Sequence, residues 1–500
     1  MKKGSKNTLL IRSSLTKILA VKGFPVPYCA GTRFANFLRQ PQPGGFRWSI
    51  KIRRCFMKRA HVLGAAAIVL SAASIPAYAL SGKLTIVTSY PTDTTATFEK
   101  AFEKKYPGVD VEMLKKKTTA GIKYLQETSD NNQADMFWAS APDAFEVLKG
   151  DDLLVKYDVK VGGIPEKVGS FPINDPEGYY KGFAASGYGI MWNERYLKAK
   201  KLPPPMEWAD LKKPIYHGHS GMSAPSRSGT THLTVETVLQ GMGWKDGWAE
   251  WKEIAGNFKT VTERSFGVPD GVNSGSFGAG IVIDFFGLSS QASGFPVGFN
   301  YPKVTTLVPA NIAIVKNAPN AEAAAAFIEF ILSTEGQELL LDPKIRRLPV
   351  NPATYAKAPK DFPNPFKDKT IGAAVKFDLA LSKGRYNVIN SLFDVMITYR
   401  LDELRGAVKA IQDAEAKLAG KTNADAAKLI AEARALVNEV PVTEAQASES
   451  DFNNIFKKKR KKATTKVTGR QAEIESEWDS MVVANYAKAK ELADKAASML

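Results

Sequence analysis

The sequence predicts an α/β protein with a helical C-terminal extension, and three observations carry that prediction. Apolar runs of strand length alternate with helix-period segments from residue 83 to about residue 341, the order that parallel sheets with crossover helices require. The strand runs end repeatedly in small polar turns that lead straight into a helix. Beyond about residue 372 the strand signal stops, and only three- and four-residue apolar spacing remains, the period of amphipathic helices.

The elements follow in chain order. "KLTIVTSY" (83–90) reads as a buried strand ending in hydroxyls, and "TTATFEKAFEKKYPG" (94–108) as an amphipathic helix stopped by Pro107-Gly108. "VDVEML" is a second strand, followed by a helix near 120–129. "ADMFWASAPDAFEVLKG" (134–150) gives strand, small-polar turn and a helix opened by Pro142. "GYGIMWNERYLKAKKLPPPMEWADL" gives a strand, a short helix and a Pro-rich turn; "HGHSGMSAPSRSGTTHLTVETVLQGMG" repeats strand, polar turn, helix. "GAGIVIDFFG" (278–287) reads as a glycine-flanked strand, "TTLVPANIAIVKNAP" as another, and "NAEAAAAFIEFILSTEGQELLL" (320–341) as a helix. The extension holds two long helical patterns, "NSLFDVMITYRLDELRGAVKAIQDAEAKLAG" and "EIESEWDSMVVANYAKAKELADKAASML".

The formal charge of +17 points first to nucleic acid or an anionic membrane. Its distribution removes that reading. Residues 1–79 hold fourteen Lys or Arg and no Asp or Glu, so only +3 remains for residues 80–500. Within that leader, Lys58-Arg59, the apolar "VLGAAAIVLSAASI" and "AYA" have the grammar of a signal peptide over 57–79, with cleavage expected after Ala79. Residues 1–56 read as a non-native or untranslated leader, Met57 being the start, with an upstream transit peptide as the alternative. Cys29 and Cys55 both precede the cut, so the exported chain would have no thiol nucleophile and no Cys-ligated zinc. A basic run at 457–462, "KKKRKK", reads as a solvated segment; a nucleic-acid or membrane role would rest on it alone.

In open α/β sheets, ligands lie beyond the carboxyl ends of strands. Three such turns here are rich in donors: Ser89 and Tyr90 with Thr88, Ser140, and the stretch Ser226, Arg227, Ser228, Gly229, Thr230, Thr231. Helix N-termini attract phosphates and carboxylates, and Arg227 would add a bidentate clamp. The same hydroxyls also serve as ordinary helix caps. Arg264-Ser265 would bring a further cation, and Asp284, read on a strand, would either cap the following turn or reach a ligand amine or hydroxyl. Catalytic readings fare worse. "GHSGM" fails the G-x-S-x-G pattern at Met222, His217 and His219 lack an acidic neighbour cluster, and no P-loop or dinucleotide fingerprint is present. No catalytic residue, metal ligand or cofactor is assigned.

The signal peptide, the paired α/β halves, "GYGIMWN" and "AEAAAAFIEFILSTEGQELL" resemble the periplasmic solute-binding proteins of ABC importers, in the branch with ferric-iron and phosphonate binders. The likeness is most specific over 203–284, in "MSAPSRSGTTHLTVETVLQGMGWKDGWAEW", "GNFKTVTERSFGVPDGVNSG" and "GIVID". The resemblance implies a type II periplasmic binding protein: two α/β lobes joined by hinge strands, lobe one at 81–187 plus 305–400, lobe two at 188–304, and a helical extension at 401–500. Iron binders of the branch hold the metal with adjacent tyrosines; here Phe285 and Phe286 stand in that place and offer no phenolate. The implied ligand is a small phosphorylated organic acid, phosphoglycerate-like, held near Ser226–Thr231, with Ser89, Tyr90, Ser140, Arg264, Ser265 and Asp284 around it. The implied partners are an ABC permease or a membrane sensor, with the chain a periplasmic monomer. Rival readings are a phosphonate, sugar-phosphate or ferric-iron binder and, in another class, a secreted phosphatase or hydrolase.

Overall fold

The computed structural model describes residues 80–457 and 467–500. The expected signal peptide, the leader before it and most of the basic run lie outside the described residues. The chain opens with β1 (Ser81–Thr88), α1 (Thr92–Lys105), β2 (Gly108–Lys115), α2 (Thr118–Glu127), β3 (Met136–Ala139) and α3 (Pro142–Gly150). β2 and β3 flank β1, both parallel to it. Pro142 stands in the first turn of α3, where a missing N–H costs nothing.

β4 (Lys181–Asn193) follows, buried along its whole length. Then come β5 (Ser220–Ser223), α4 (Gly229–Met242), α5 (Trp244–Ala255), β6 (Phe258–Thr262), β7 (Ala279–Ile283), α6 (Asp284–Ala292), β8 (Val297–Asn300) and β9 (Leu307–Val315). After α7 (Ala321–Leu332) and the short β10 (Leu348–Pro349), the chain becomes helical. α8 (Leu379–Gly384), α9 (Tyr386–Phe393), α10 (Leu401–Leu418), α11 (Ala424–Asn438) and α12 (Arg470–Ser498) complete it.

The principal strands lie in the order β2-β1-β3-β9-β4-β7-β5-β6. β4 makes one path of two lobes because it changes partner midway. Residues 181–187 pair with β9, and residues 188–192 pair with β7. The switch at Gly187–Tyr188 is a crossing point, and 301–306 return beside it: the Thr305 hydroxyl donates to Tyr188 O at 2.8 Å. A side chain at Gly187 would meet the Tyr301 ring at 2.9 Å, so the two crossing segments touch there through backbone. This is the two-lobed type II binding-protein architecture with a helical extension.

Two readings are corrected by the packing. Residues up to 400 were expected in lobe one, yet Val388, Ile389, Leu392, Phe393 and Val395–Ile397 share a buried core with Trp244, Trp248 and Trp251 of lobe two. The apolar face of α9 is satisfied there, so the chain from about residue 386 packs with lobe two, whereas α8 lies against α3 of lobe one. The strand expected over 278–287 ends at Ile283, and Asp284 opens α6 instead. A carboxylate in a helix's first turn is favoured by the helix dipole, a signal the apolar run concealed.

Candidate ligand-binding site

The polar turn after β1, the N-terminus of α3 and the N-terminus of α4 converge where the lobes meet. Thr118 donates its hydroxyl to Ser89 Oγ at 3.2 Å. Gly229 has no room for a side chain: a Cβ there would lie 2.7 Å from the Ala141 methyl and 3.1 Å from Thr118 Cγ2. Glycine at this position therefore lets the backbone of lobe two close against lobe one.

At the centre of this seam lies a residue that the sequence reading missed, Arg347, fully buried. Its guanidinium stacks over Tyr90, 4.4 Å from the ring centroid, and over Phe285 at 3.8 Å. Nη2 donates to Ser140 Oγ at 2.8 Å, Nη1 reaches Ser186 Oγ at 3.4 Å, and Nε finds no acceptor. Burial lowers the Arg347 pKa, opposed by Tyr90, Asp284 and Tyr188. The Tyr188 hydroxyl is buried without a hydrogen-bond partner. So is that of Tyr90, where Ser140 is near enough to lower the pKa but not placed to complete a bond. Burial raises both phenols. The seam thus holds a cation with no ion-pair partner among the described residues, beside two idle hydroxyls. Unmet donors in a buried site are expensive unless something accepts from them.

Asp284 does not neutralise the arginine by contact. Its Oδ2 accepts from Gly187 N at 2.7 Å and from the Tyr301 hydroxyl at 2.9 Å, and its Oδ1 from Phe285 N at 2.7 Å. Burial raises its pKa to about 6, opposed by those bonds and by Arg347. Through these bonds it pins the crossing point of β4 and the start of α6.

The other expected residues separate into groups. Ser228 is the N-cap of α4, accepting from Thr231 N at 3.2 Å. Thr230, Thr231 and Ser265 line a cavity of about 10 Å³ behind Phe286. Ser226 and Arg227 line a cleft of about 1930 Å³, together with Lys117 and Thr119 of lobe one, Glu263 of lobe two and residues of α3 and the extension. There Arg227 pairs with the exposed Glu263, and buried Asp394 is lowered by Ser226 and Arg227 although burial raises it overall. Arg227 thus has one exposed carboxylate partner, while its Nε and the Ser226 hydroxyl are buried without a hydrogen-bond partner. Arg264 is exposed and stacks over Phe266 at 5.6 Å, so it brings no cation to the seam. His219 meets the Tyr196 hydroxyl at 2.8 Å and His217 the Asn257 amide oxygen at 3.3 Å, each with its own partner. Nothing local marks Arg347 in "KIRRLPV": the strand begins at Leu348, and Arg346 before it has a positive φ of 46°, so strand alternation does not sort the two arginines.

Comparison with known proteins agrees with the fold. The sequence profile described as bacterial extracellular solute-binding protein matches residues 131–374. The phosphoglycerate transport regulatory protein PgtC of Salmonella typhimurium is 30% identical over 378 residues, covering 75% of this chain and 89% of that protein. Among solved structures, the periplasmic binding protein P5PA superposes with a TM-score of 0.57 at 22% identity, covering 63% of this chain and 100% of that one. AfuA from Actinobacillus pleuropneumoniae, with exogenous fructose-6-phosphate bound, superposes with a TM-score of 0.56 at 22% identity over 63% and 98%. The chain belongs to the bacterial extracellular solute-binding proteins.

Proposed function

We infer that the chain captures a small phosphorylated organic acid, phosphoglycerate-like, in the seam between its lobes. The observation that supports this most directly is Arg347, a buried guanidinium with a free Nε and no ion-pair partner among the described residues. A planar, always-charged donor fork suits a carboxylate or phosphate, and the N-termini of α3 and α4 add N–H donors and positive dipole ends on the same side. The relative PgtC is named for phosphoglycerate transport and AfuA holds a sugar phosphate, which supports the same ligand class. A chain of this family works in ABC-type import. Its place would be the periplasm, reached through the signal peptide at 57–79, and its partner a permease or membrane sensor. Binding needs no covalent step: preorganised donors hold the anion while the lobes close.

The test is calorimetry of the purified protein against 3-phosphoglycerate, phosphoenolpyruvate, fructose 6-phosphate, aminoethylphosphonate, inorganic phosphate and ferric citrate. Binding of 3-phosphoglycerate or phosphoenolpyruvate is expected, and Arg347→Met should weaken it by about thirtyfold or more, since losing one partner of a buried charge pair costs at least ~2 kcal/mol. Arg227→Ala should change it far less. Binding of ferric citrate alone would overturn the reading.

A further inference from the structure

The first turns of α3 and α4, which line the seam, each carry a second polar residue three positions on. From Ser140 the chain reaches Asp143; from Gly229 it reaches His232. Both are completely buried, and so is Ser382 of α8. His232 Nε2 lies 3.4 Å from Asp143 Oδ2 and 3.3 Å from Ser382 Oγ, and the Ser382 hydroxyl reaches Asp143 Oδ2 at 3.5 Å. His232 Nδ1 faces Asn390 Oδ1 at 3.1 Å, and its ring packs against Tyr386 with centroids 4.3 Å apart. Three bodies meet here: α3 of lobe one, α4 of lobe two and α8–α9 of the extension.

A Ser-His-Asp set invites a catalytic reading, and the geometry refuses it. Serine and aspartate crowd the same ring nitrogen instead of opposite ones, and none of the three has any exposure. The arrangement is a cross-brace. The extension is fixed to lobe two by the buried fork of Arg385 on Glu236, Nε to Oε1 and Nη2 to Oε2, both at 2.8 Å. From that anchor it reaches lobe one through Ser382, through Lys383 on Glu146 at 3.8 Å, and through Phe377 against Phe171. The lobes cannot separate at Gly229 without pulling Asp143 away from His232 or from Ser382.

We propose that Asp143, His232 and Ser382 form a latch between lobe one, lobe two and the C-terminal extension, holding the closed form and releasing it when Asp143 ionises. Asp143 is a positioning residue in this scheme, acting on the seam one helical turn away. Its surroundings favour a retained proton. Burial and Glu236 raise its pKa to about 8, against the N–H of Ala144 and the hydroxyl of Ser382. Besides Glu236 and His232 on α4, the titratable groups facing it are Tyr180 and Tyr188 along β4 and Tyr386 of α9; burial raises all three phenols, and the charge of Asp143 adds to that. Arg385 is already balanced by Glu236 and Glu444.

Once the lobes part, an exposed aspartate ionises near about 4. On Asp143 the closed form therefore holds a proton that the open form has lost between roughly pH 4 and 8, a range that includes pH 6.5 to 8. In that window each pH unit shifts the ratio of closed to open by up to about tenfold toward open.

The test uses no ligand, so it stands apart from the phosphorylated-acid reading. In a chain with Cys29→Ser and Cys55→Ser, spin labels on Asp110→Cys and Lys245→Cys report the interlobe distance. The short-distance population should fall between pH 6.5 and 8. Asp143→Asn should keep it high across that range, and Ser382→Ala should lower it at every pH while leaving the pH response. Circular dichroism confirms that both variants are folded. Superimposable distance–pH curves for the parent and Asp143→Asn would overturn the latch, as would a distance that ignores both variants.

Discussion

The guanidinium carbon of Arg347 lies 3.8 Å from the centroid of the Phe285 ring, so an arginine entering β10 of lobe one rests on the first turn of α6 of lobe two. Tyr90 takes the other stacking contact. Rings take the stacking contacts and serines take Nη1 and Nη2, which leaves Nε as the N–H that an anion would meet. The aromatic pair thus keeps the cation buried without neutralising it.

Phe285→Leu removes the ring quadrupole while keeping an apolar side chain. Cation–π contacts in desolvated sites contribute about 1–2 kcal/mol, so affinity for 3-phosphoglycerate should fall about five- to thirtyfold. Calorimetry measures this, and a circular dichroism spectrum unchanged from wild type shows that the fold remains. Equal affinity in the two proteins would mean that the ring does not hold Arg347 in place.

Gly229→Ala tests the close approach of the lobes. The added methyl would sit 2.7 Å from Ala141, an overlap of the kind that costs about 1–3 kcal/mol when packing cannot relax. Here the lobes can relax by opening. The variant should therefore keep a melting temperature near wild type while its ligand affinity falls and its radius of gyration in X-ray scattering rises. A large loss of melting temperature with unchanged scattering would instead place Gly229 in a rigid core.

Much of this was readable in the residues. The strand–helix alternation gave the α/β organisation and the family resemblance gave the two lobes, and Ser89, Tyr90, Ser140 and Gly229 lie together at the seam. What the local pattern concealed was long-range. Arg347 lies 207 residues from Ser140 in the chain, and no periodicity links "KIRRLPV" to "WASAP". His232 has no local signal, because Asp143 and Ser382 stand 89 residues before it and 150 after it. Around Arg227 the sequence shows serines but not Glu263 and Asp394, which only the fold brings beside it. Helix caps are local and legible; charge balance is a property of the packed molecule.

Stability should fall as pH rises from about 4 to 8. Burial raises Asp143 to about 8 and Asp284 to about 6 from an ordinary 3.8. The folded state then binds more protons than the unfolded one across those windows, so their contribution is full below pH 4 and is lost upward. Asp284 gives out by about pH 6, leaving Asp143 for the upper part. Urea midpoints of Asp143→Asn should therefore decline less than those of wild type between pH 6 and 8. Parallel declines would assign the loss to other groups.

Lys252 of α5 gives the opposite sign higher up the scale. It is buried against the C-terminal end of α11, donating to Val437 O at 2.9 Å and Glu439 O at 2.5 Å, with the Tyr486 ring 5.5 Å away. The negative end of a helix dipole and Glu439 favour the ammonium, but desolvation wins and lowers its pKa to about 7. The folded chain therefore binds fewer protons than the unfolded chain between about pH 7 and 10.5, and stability gains from Lys252 as pH rises through that range. Lys252→Met keeps the volume and abolishes the titration, but it leaves two carbonyls without their donor, at about 1–3 kcal/mol. The variant should be clearly less stable than wild type near pH 10, where the neutral amine still donates. That gap should narrow toward pH 7, where wild type must bury a charge. Urea midpoints at pH 7, 8.5 and 10 measure it, and a gap constant across the three would show that Lys252 keeps its charge in the fold.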